Sequence, residues 1–284
     1  MGFRYSVFTV MIPEYRVEEV PKVLSRYGYE GVEWRVAERR EPAGKPNYWT
    51  GNRATLDEEN ILDEARVAAR LCRDVGLEVP ALAPYLSPGS GEARIRRVME
   101  AARIMDCGQV RISVPRYDGS VDYRKLFEKT VEDYRLVERI SRETGVKALV
   151  EIHMGCICPS ASAAYRFVSN FDPDNVGVIL DPGNMVVEGF ENWDLGVELL
   201  GEYLAHVHVK NALWREAGER HGARVWKAEM CPLREGLVSW EEVLKALNKV
   251  GYKGWLSFED FSDQPSDVKL RDNLAFMRSL EAVI

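Results

Sequence analysis

The sequence predicts an α/β fold of the closed (β/α)8 barrel class, one domain over residues 1–284. Apolar, β-branched runs alternate with amphipathic helical patterns throughout, as parallel strands joined by crossover helices require. Eight strand–helix pairs follow one another in order. They close naturally into a barrel, with an open doubly wound sheet as the competing arrangement. The length of 284 residues suits such a barrel, typically roughly 250 residues, as one unit.

The first strand is read in RYSVFTVM, followed by a helix over Val17–Arg26. The second is GVEWRV; a long connection, Ala37–Thr55, then leads to a helix over Asp57–Val75. EVPALAPY and QVRISVP each precede a helix, Glu92–Met105 and Tyr123–Glu143. KALVEIH comes before Ala161–Ser169, and VGVILDP before Trp193–Leu200. LAHVHVK opens a second long connection, Asn211–Val238, ahead of a helix at Trp240–Val250. GWLSFED is the last strand, with a final helix near Ser266–Leu280. In RYGYEGVEW, DVGLEVPAL, ETGVKALVE and KVGYKGWLS a glycine stands where a helix must stop before a strand. Glycine enters the left-handed conformation there at low cost.

Both long connections leave carboxyl ends of strands, so both can overhang one face, and long ordered loops are often lids or binding loops. Tyr48, Trp49, Trp214 and Trp226 on them can wall a small ligand. Exposed aromatics equally suit a subunit contact, in a homodimer or homotetramer.

A composition of 46% hydrophobic and 29% charged residues is globular rather than disordered. The net charge of −7 disfavours a general nucleic-acid surface, so no nucleic-acid partner is expected. No run of about 20 apolar residues is present, so no membrane span is expected. The start, MGFRYSVFTVMIPEY, lacks the basic region, apolar run and cleavage site of a signal peptide. MGFRYS loosely matches a myristoylation pattern, but the apolar residues after it read as a first buried strand. Five cysteines, odd in number and without framework spacing, point to a reduced, cytoplasmic setting. Cys156 and Cys158 in GCICPS lack the further thiols of a thiolate metal site and read as small loop-filling residues.

Four strands in the second half each carry an ionisable residue at or near the carboxyl end: Glu151, Asp181, His208 and Glu259. Buried carboxylates are normally paired, protonated or bound to a metal, and barrel enzymes keep their active sites at this end. A single strand carboxylate is more often an Arg or Lys partner, but four successive strand ends favour a shared divalent cation. Glu, Asp, His and Glu form an oxygen-rich set without thiolate, suiting Mn²⁺ or Mg²⁺, with Co²⁺, Fe²⁺ and Zn²⁺ also compatible. His206 and His208 lie two apart on one strand and point to one side, with His206 the deeper. His153 follows Glu151 by two and is a candidate for substrate contact or proton relay. His221 reads as a surface residue.

VEIHMG, NVGVILDPGNM, AHVHVKNA and GWLSFED resemble the sugar phosphate isomerase/epimerase group of the xylose-isomerase-like TIM barrels. The resemblance covers essentially the whole chain and is strongest from Val150 to Asp260. By position it implies Glu151, Asp181, His208 and Glu259 as metal ligands. From the ketohexose epimerase branch it implies that Glu151 and Glu259 accept and donate the proton on opposite faces of the sugar. Asn184 stands where that branch has a substrate-contacting His. The chain has HMGCIC where that branch continues with an Arg and a further Glu, and Asn211 follows Lys210 where many members have an acid.

The chemistry so implied is proton transfer beside a carbonyl through a metal-stabilised enediolate. The reaction is that of an isomerase or epimerase of a sugar, keto-sugar or related polyol. A lyase, such as a keto-polyol dehydratase or keto-glycoside-cleaving enzyme, would use the same enolate. A nuclease of the abasic-site endonuclease branch needs extra histidines, and this chain has four in all. Trp34, Arg35, Tyr85, Arg116, Asn184 and Lys210, near strand ends, are candidates to hold the substrate. Arg116 and Lys210 could instead select a carboxylate or phosphate.

Overall fold

A computed structural model describes residues 2–40 and 44–284, so residues 41–43 of the first long connection lie outside the described residues. The chain runs β1 (Arg4–Phe8), α1 (Val20–Tyr27), β2 (Gly31–Ala37), β3 (Thr55–Asp57), α2 (Ile61–Arg73), β4 (Leu82–Pro84), α3 (Glu92–Ile104), β5 (Gln109–Arg111) and α4 (Tyr123–Thr144). There follow β6 (Lys147–Glu151), α5 (Ala161–Val168), β7 (Val176–Leu180), α6 (Pro182–Val187), α7 (Trp193–Leu200) and β8 (Leu204–Val209). It ends with β9 (Asn211–Arg220), β10 (Ala223–Cys231), α8 (Trp240–Lys249), β11 (Trp255–Phe258) and α9 (Ser266–Glu281).

Eight parallel strands close in the order β1, β2, β4, β5, β6, β7, β8, β11 and back to β1. Closure is explicit: β1 pairs with β11 through Arg4↔Trp255 and with β2 through Phe8↔Glu33. A strand paired on both edges excludes the open sheet. Helices cover the outside, so the strands are buried on both faces and read as apolar runs, as in VGVIL of β7.

Side-chain caps set several helix starts. Asp122 accepts from Arg124 N and Lys125 N, Ser160 from Ala163 N, Asn192 from Leu195 N and Ser239 from Glu242 N. The final helix is tied to the barrel mouth by Lys269. Its buried ammonium donates to Met11 O at 3.1 Å, Asp260 O at 3.1 Å and Tyr48 Oη at 3.0 Å.

The structure departs from the sequence expectation in several places. β1 stops at Phe8, and Thr9–Met11 form a 3-10 turn. Asp57, expected to start a helix, instead ends β3, which adds to β2 beyond the barrel ladder. β4 is only three residues long, because Pro80 and Pro84 offer no N–H to a ladder. The second long connection is an antiparallel hairpin, β9–β10, not a loop. It turns at His221 and Gly222, whose φ values of 53° and 77° are the positive pair that a two-residue hairpin demands.

Candidate metal centre at the barrel mouth

The DPGN segment shows how local sequence aims a ligand. Asp181 caps α6: its Oδ1 accepts from Asn184 N at 2.9 Å, and Pro182 fills the first helical position. Its Oδ2 accepts from Asn184 Nδ2 at 2.9 Å and lies 2.9 Å from Lys210 Nζ. Gly183 is required by close approach, since a Cβ there would sit 2.3 Å from Lys210 Cγ. Helix α6 was not anticipated from sequence, yet it fixes the carboxylate.

Glu151, Asp181, His208 and Glu259, all buried, bring one ligand atom each within 4.8 Å of one another. His208 Nδ1 faces Glu151 Oε1 at 3.2 Å, Asp181 Oδ2 at 3.5 Å and Glu259 Oε2 at 3.5 Å. Its Nε2 lies 3.2 Å from Glu33 Oε1, while His206 Nε2 lies 3.0 Å from Glu33 Oε2. Glu33 thus accepts from both imidazoles. It leaves the Nδ1 lone pair of neutral His208 aimed at the three carboxylates, the tautomer a metal ligand needs.

Charge balance gives an independent test of fit. Glu33, Glu151, Asp181 and Glu259 are buried carboxylates, and the permanent cations against them are Arg111 and Lys210. Two negative charges are left, which a divalent cation neutralises. Burial works against ionising Glu33, but His208 and His206 outweigh it and hold its carboxyl well below the usual range. Burial likewise opposes ionised Glu151, and Arg111 and His208 overcome it. For Glu259, Lys210 and His208 do the same. Burial disfavours protonated His208, yet Glu33 and Glu259 raise its pKa well above the ordinary value. The residues therefore fit a divalent cation, and in its place a proton on His208 offsets part of the negative charge.

A cavity of about 710 Å³ opens over this centre. Of the sequence candidates, Glu151, His153, Asn184, Lys210, Glu259, Arg116 and Tyr85 line it. His153 Nδ1 is 2.7 Å from Met154 O, and a carbonyl only accepts, so a proton sits on Nδ1, and Nε2 has no hydrogen-bond partner among the described residues. Asn184 spends its amide on Asp181 and Ile152 O, leaving a buried Oδ1 without a partner among the described residues. Tyr85 is 46% exposed, and Arg35 donates to its hydroxyl at 3.1 Å. Arg35 is thereby a support under Tyr85 and not part of the cavity wall. Lys210 is held by Asp181 and Glu259.

Trp34 is a correction. It is completely buried within the hydrophobic core. On β2 successive side chains alternate, and Glu33 is the one that meets the barrel histidines, so Trp34 faces away from the mouth. The sequence reading took its closeness to a strand end for access to substrate. Sequence reasoning missed Glu33 and Arg111, whose Nη1 bonds Glu151 Oε2 at 2.8 Å. Charged residues inside the otherwise apolar segments GVEWRV and QVRISVP were the available signal. Of the four loop aromatics, Tyr48 and Trp49 line the cavity. Trp214 instead donates to Val186 O at 2.9 Å, and Trp226 is 52% exposed.

A closed barrel bearing this cluster of three carboxylates and an imidazole at its mouth defines a class. The chain belongs to the xylose isomerase-like TIM barrel family, whose sequence profile matches residues 21–280. It is 25% identical over 135 residues to an inosose dehydratase of Lacticaseibacillus casei, covering 45% of each chain. It is 25% identical over 148 residues to the D-psicose 3-epimerase of Ruminiclostridium cellulolyticum, covering 51% of this chain and 45% of that one. The matches thus span about half the length of these curated relatives. The 3-keto-D-glucoside 4-epimerase of E. coli superposes with a TM-score of 0.73 at 14% identity, over 98% of this chain and 100% of that one. No helix among the described residues is long and apolar enough to cross a membrane.

Proposed function

We propose that the protein is a divalent-metal-dependent enzyme, an isomerase or epimerase that moves a proton beside the carbonyl of a sugar, keto-sugar or polyol. The observation that carries this reading is the convergence of Glu151, Asp181, His208 and Glu259 on one point under an open cavity. An oxygen-rich set with one imidazole suits Mn²⁺ or Mg²⁺ best. When bound, such a cation supplies Lewis-acid polarisation of a carbonyl and its neighbouring hydroxyl. Glu151 and Glu259 reach the centre from strands separated by β7 and β8, so they flank a bound carbon from two sides. The ionised carboxylate of one takes the proton, and the other, protonated, returns one; Arg111 pairs with Glu151 and Lys210 with Glu259.

Dehydration is the second reading, supported by the inosose dehydratase relatives and by His153. His153 lines the cavity two residues after Glu151, where its Nε2, once protonated, can give a proton to a departing hydroxyl. Metal-loaded protein in D₂O with a panel of ketoses and inososes tests both. Solvent deuterium entering substrate without loss of water supports epimerisation or isomerisation, and an unsaturated product supports dehydration. Glu259→Gln should abolish exchange. Full exchange in that variant would refute its role in proton transfer.

A further inference from the structure

Three cationic side chains line the cavity: Arg111, Arg116 and Lys210. Arg111 is paired with Glu151 at 2.8 Å, and Lys210 with Asp181 at 2.9 Å and with Glu259. Arg116 alone has no carboxylate at ion-pair distance among the described residues.

Its place is built. The loops after β5 and β6 zip together at the barrel mouth through an antiparallel bridge between Arg116 and Cys156. Tyr117 N donates to Gly155 O at 3.0 Å and Ile157 N to Pro115 O at 3.2 Å. The guanidinium lies against Gly155. A Cβ there would stand 2.8 Å from Arg116 Nη2 and 3.4 Å from Cζ, and the φ of +71° favours glycine in any case. Glu188, an acid that reaches this ribbon, is engaged at 2.6 Å with Gly155 N. The ribbon thus places an exposed guanidinium at the rim of the same cavity as Glu151 and Glu259.

The charges below it sharpen the point. With a divalent cation in the centre the buried carboxylates are balanced by Arg111, Lys210 and the metal, so the charge of Arg116 is left over. A guanidinium fork matches the two oxygens of a carboxylate or phosphate. We propose that the substrate is anionic, a keto-sugar or keto-polyol whose carboxylate or phosphate is taken by Arg116 while its carbonyl end lies over Glu151 and Glu259. This rests on the proposed metal-dependent enolising reading, for the carbonyl end and for the charge balance below Arg116.

Calorimetric titration of Mn²⁺-loaded protein with D-fructose, D-fructuronate and D-fructose 6-phosphate tests it. At least one anionic probe should bind about tenfold or more tightly than fructose. Arg116→Ala should remove that advantage, and Arg116→Lys should restore part of it by returning the charge without the fork. The arm with the larger Arg116-dependent gain identifies carboxylate or phosphate. Anionic probes binding no better than fructose would overturn the proposal, as would an advantage that survives in Arg116→Ala. Mn²⁺ stoichiometry measured on the same samples is the separate readout for the metal centre. Absence of bound Mn²⁺ would count against the metal centre, whereas bound Mn²⁺ without an Arg116-dependent anion preference would count against this proposal alone.

Discussion

At the scale of residues, Glu33 carries the sharpest consequence. It makes no contact through the cavity, yet both its oxygens accept from barrel imidazoles, at 3.0 Å and 3.2 Å. A glutamine has one acceptor oxygen and one donor group, so it cannot accept from both histidines. Where the amide donates to His208 Nε2, the ring proton moves to Nδ1 and the metal-facing lone pair is lost. Partners of this kind typically change metal affinity about 10- to 100-fold. Glu33→Gln should therefore weaken Mn²⁺ binding by about that factor in calorimetry, with the near-ultraviolet circular dichroism unchanged. Affinity within twofold of wild type would remove Glu33 from the centre. The same strand shows what could be read from sequence alone. Period-two alternation puts Glu33 and Trp34 on opposite sides, but nothing in GVEWRV says which side faces the barrel axis. That is decided by His206 and His208, far away in the chain. Glu151, Asp181, His208 and Glu259 were legible because each lies within one residue of the end of its own strand, and barrel closure brings those strand ends together.

At the scale of elements, the hairpin β9–β10 is where pattern failed and geometry decides. Asn211 looked like a lost acid beside Lys210. In the structure it is buried and knots the hairpin base. Its Nδ2 donates to Leu233 O at 2.7 Å and Val238 O at 3.1 Å, and its Oδ1 accepts from Ala212 N at 2.9 Å and Val238 N at 2.8 Å. Only an amide can do both, and Gly236 leaves the room, since a Cβ there would lie 2.0 Å from Asn211 Oδ1. Asn211→Asp would set a carboxylate against two carbonyls and leave them without donors. Such a buried mismatch costs about 2–3 kcal/mol, so urea unfolding should shift its midpoint down with an unchanged slope. A loss below about 0.5 kcal/mol would mean the knot is not needed. The hairpin escaped the sequence reading because most of β9 and β10 is solvent-exposed. Two polar strands give no apolar alternation, and only the turn at His221 and Gly222 marks them. The barrel strands and helices, by contrast, were announced by their buried faces.

At the scale of the whole molecule, the charge at the barrel mouth couples metal, proton and stability. Without a cation, burial disfavours protonated His208, but Glu33 and Glu259 outweigh it and raise its pKa well above the ordinary 6.5. Stability from a raised pKa is fully present below the unfolded value and is lost as pH rises through the folded one. Glu33 runs the other way. Its depressed carboxyl contributes above the ordinary 4.5, and that contribution is lost as pH falls through its folded value. Chelator-treated protein should therefore be most stable from about pH 5 to pH 7 and weaken on both sides. A divalent cation takes the place of the His208 proton, so it must compete with that proton at low pH and is freed of the competition as pH rises. At about 100 times its dissociation constant a cation adds about 2.7 kcal/mol, roughly 5 °C of melting temperature for a chain of this size. Melting curves of Mn²⁺-loaded and chelated protein at fixed free metal should thus separate little near pH 5.5 and by several degrees near pH 8.5. The gap should grow because the cation displaces the His208 proton more readily as pH rises. A separation equal at both pH values would show that the cation binds without displacing the His208 proton, placing it elsewhere than among the four strand-end ligands.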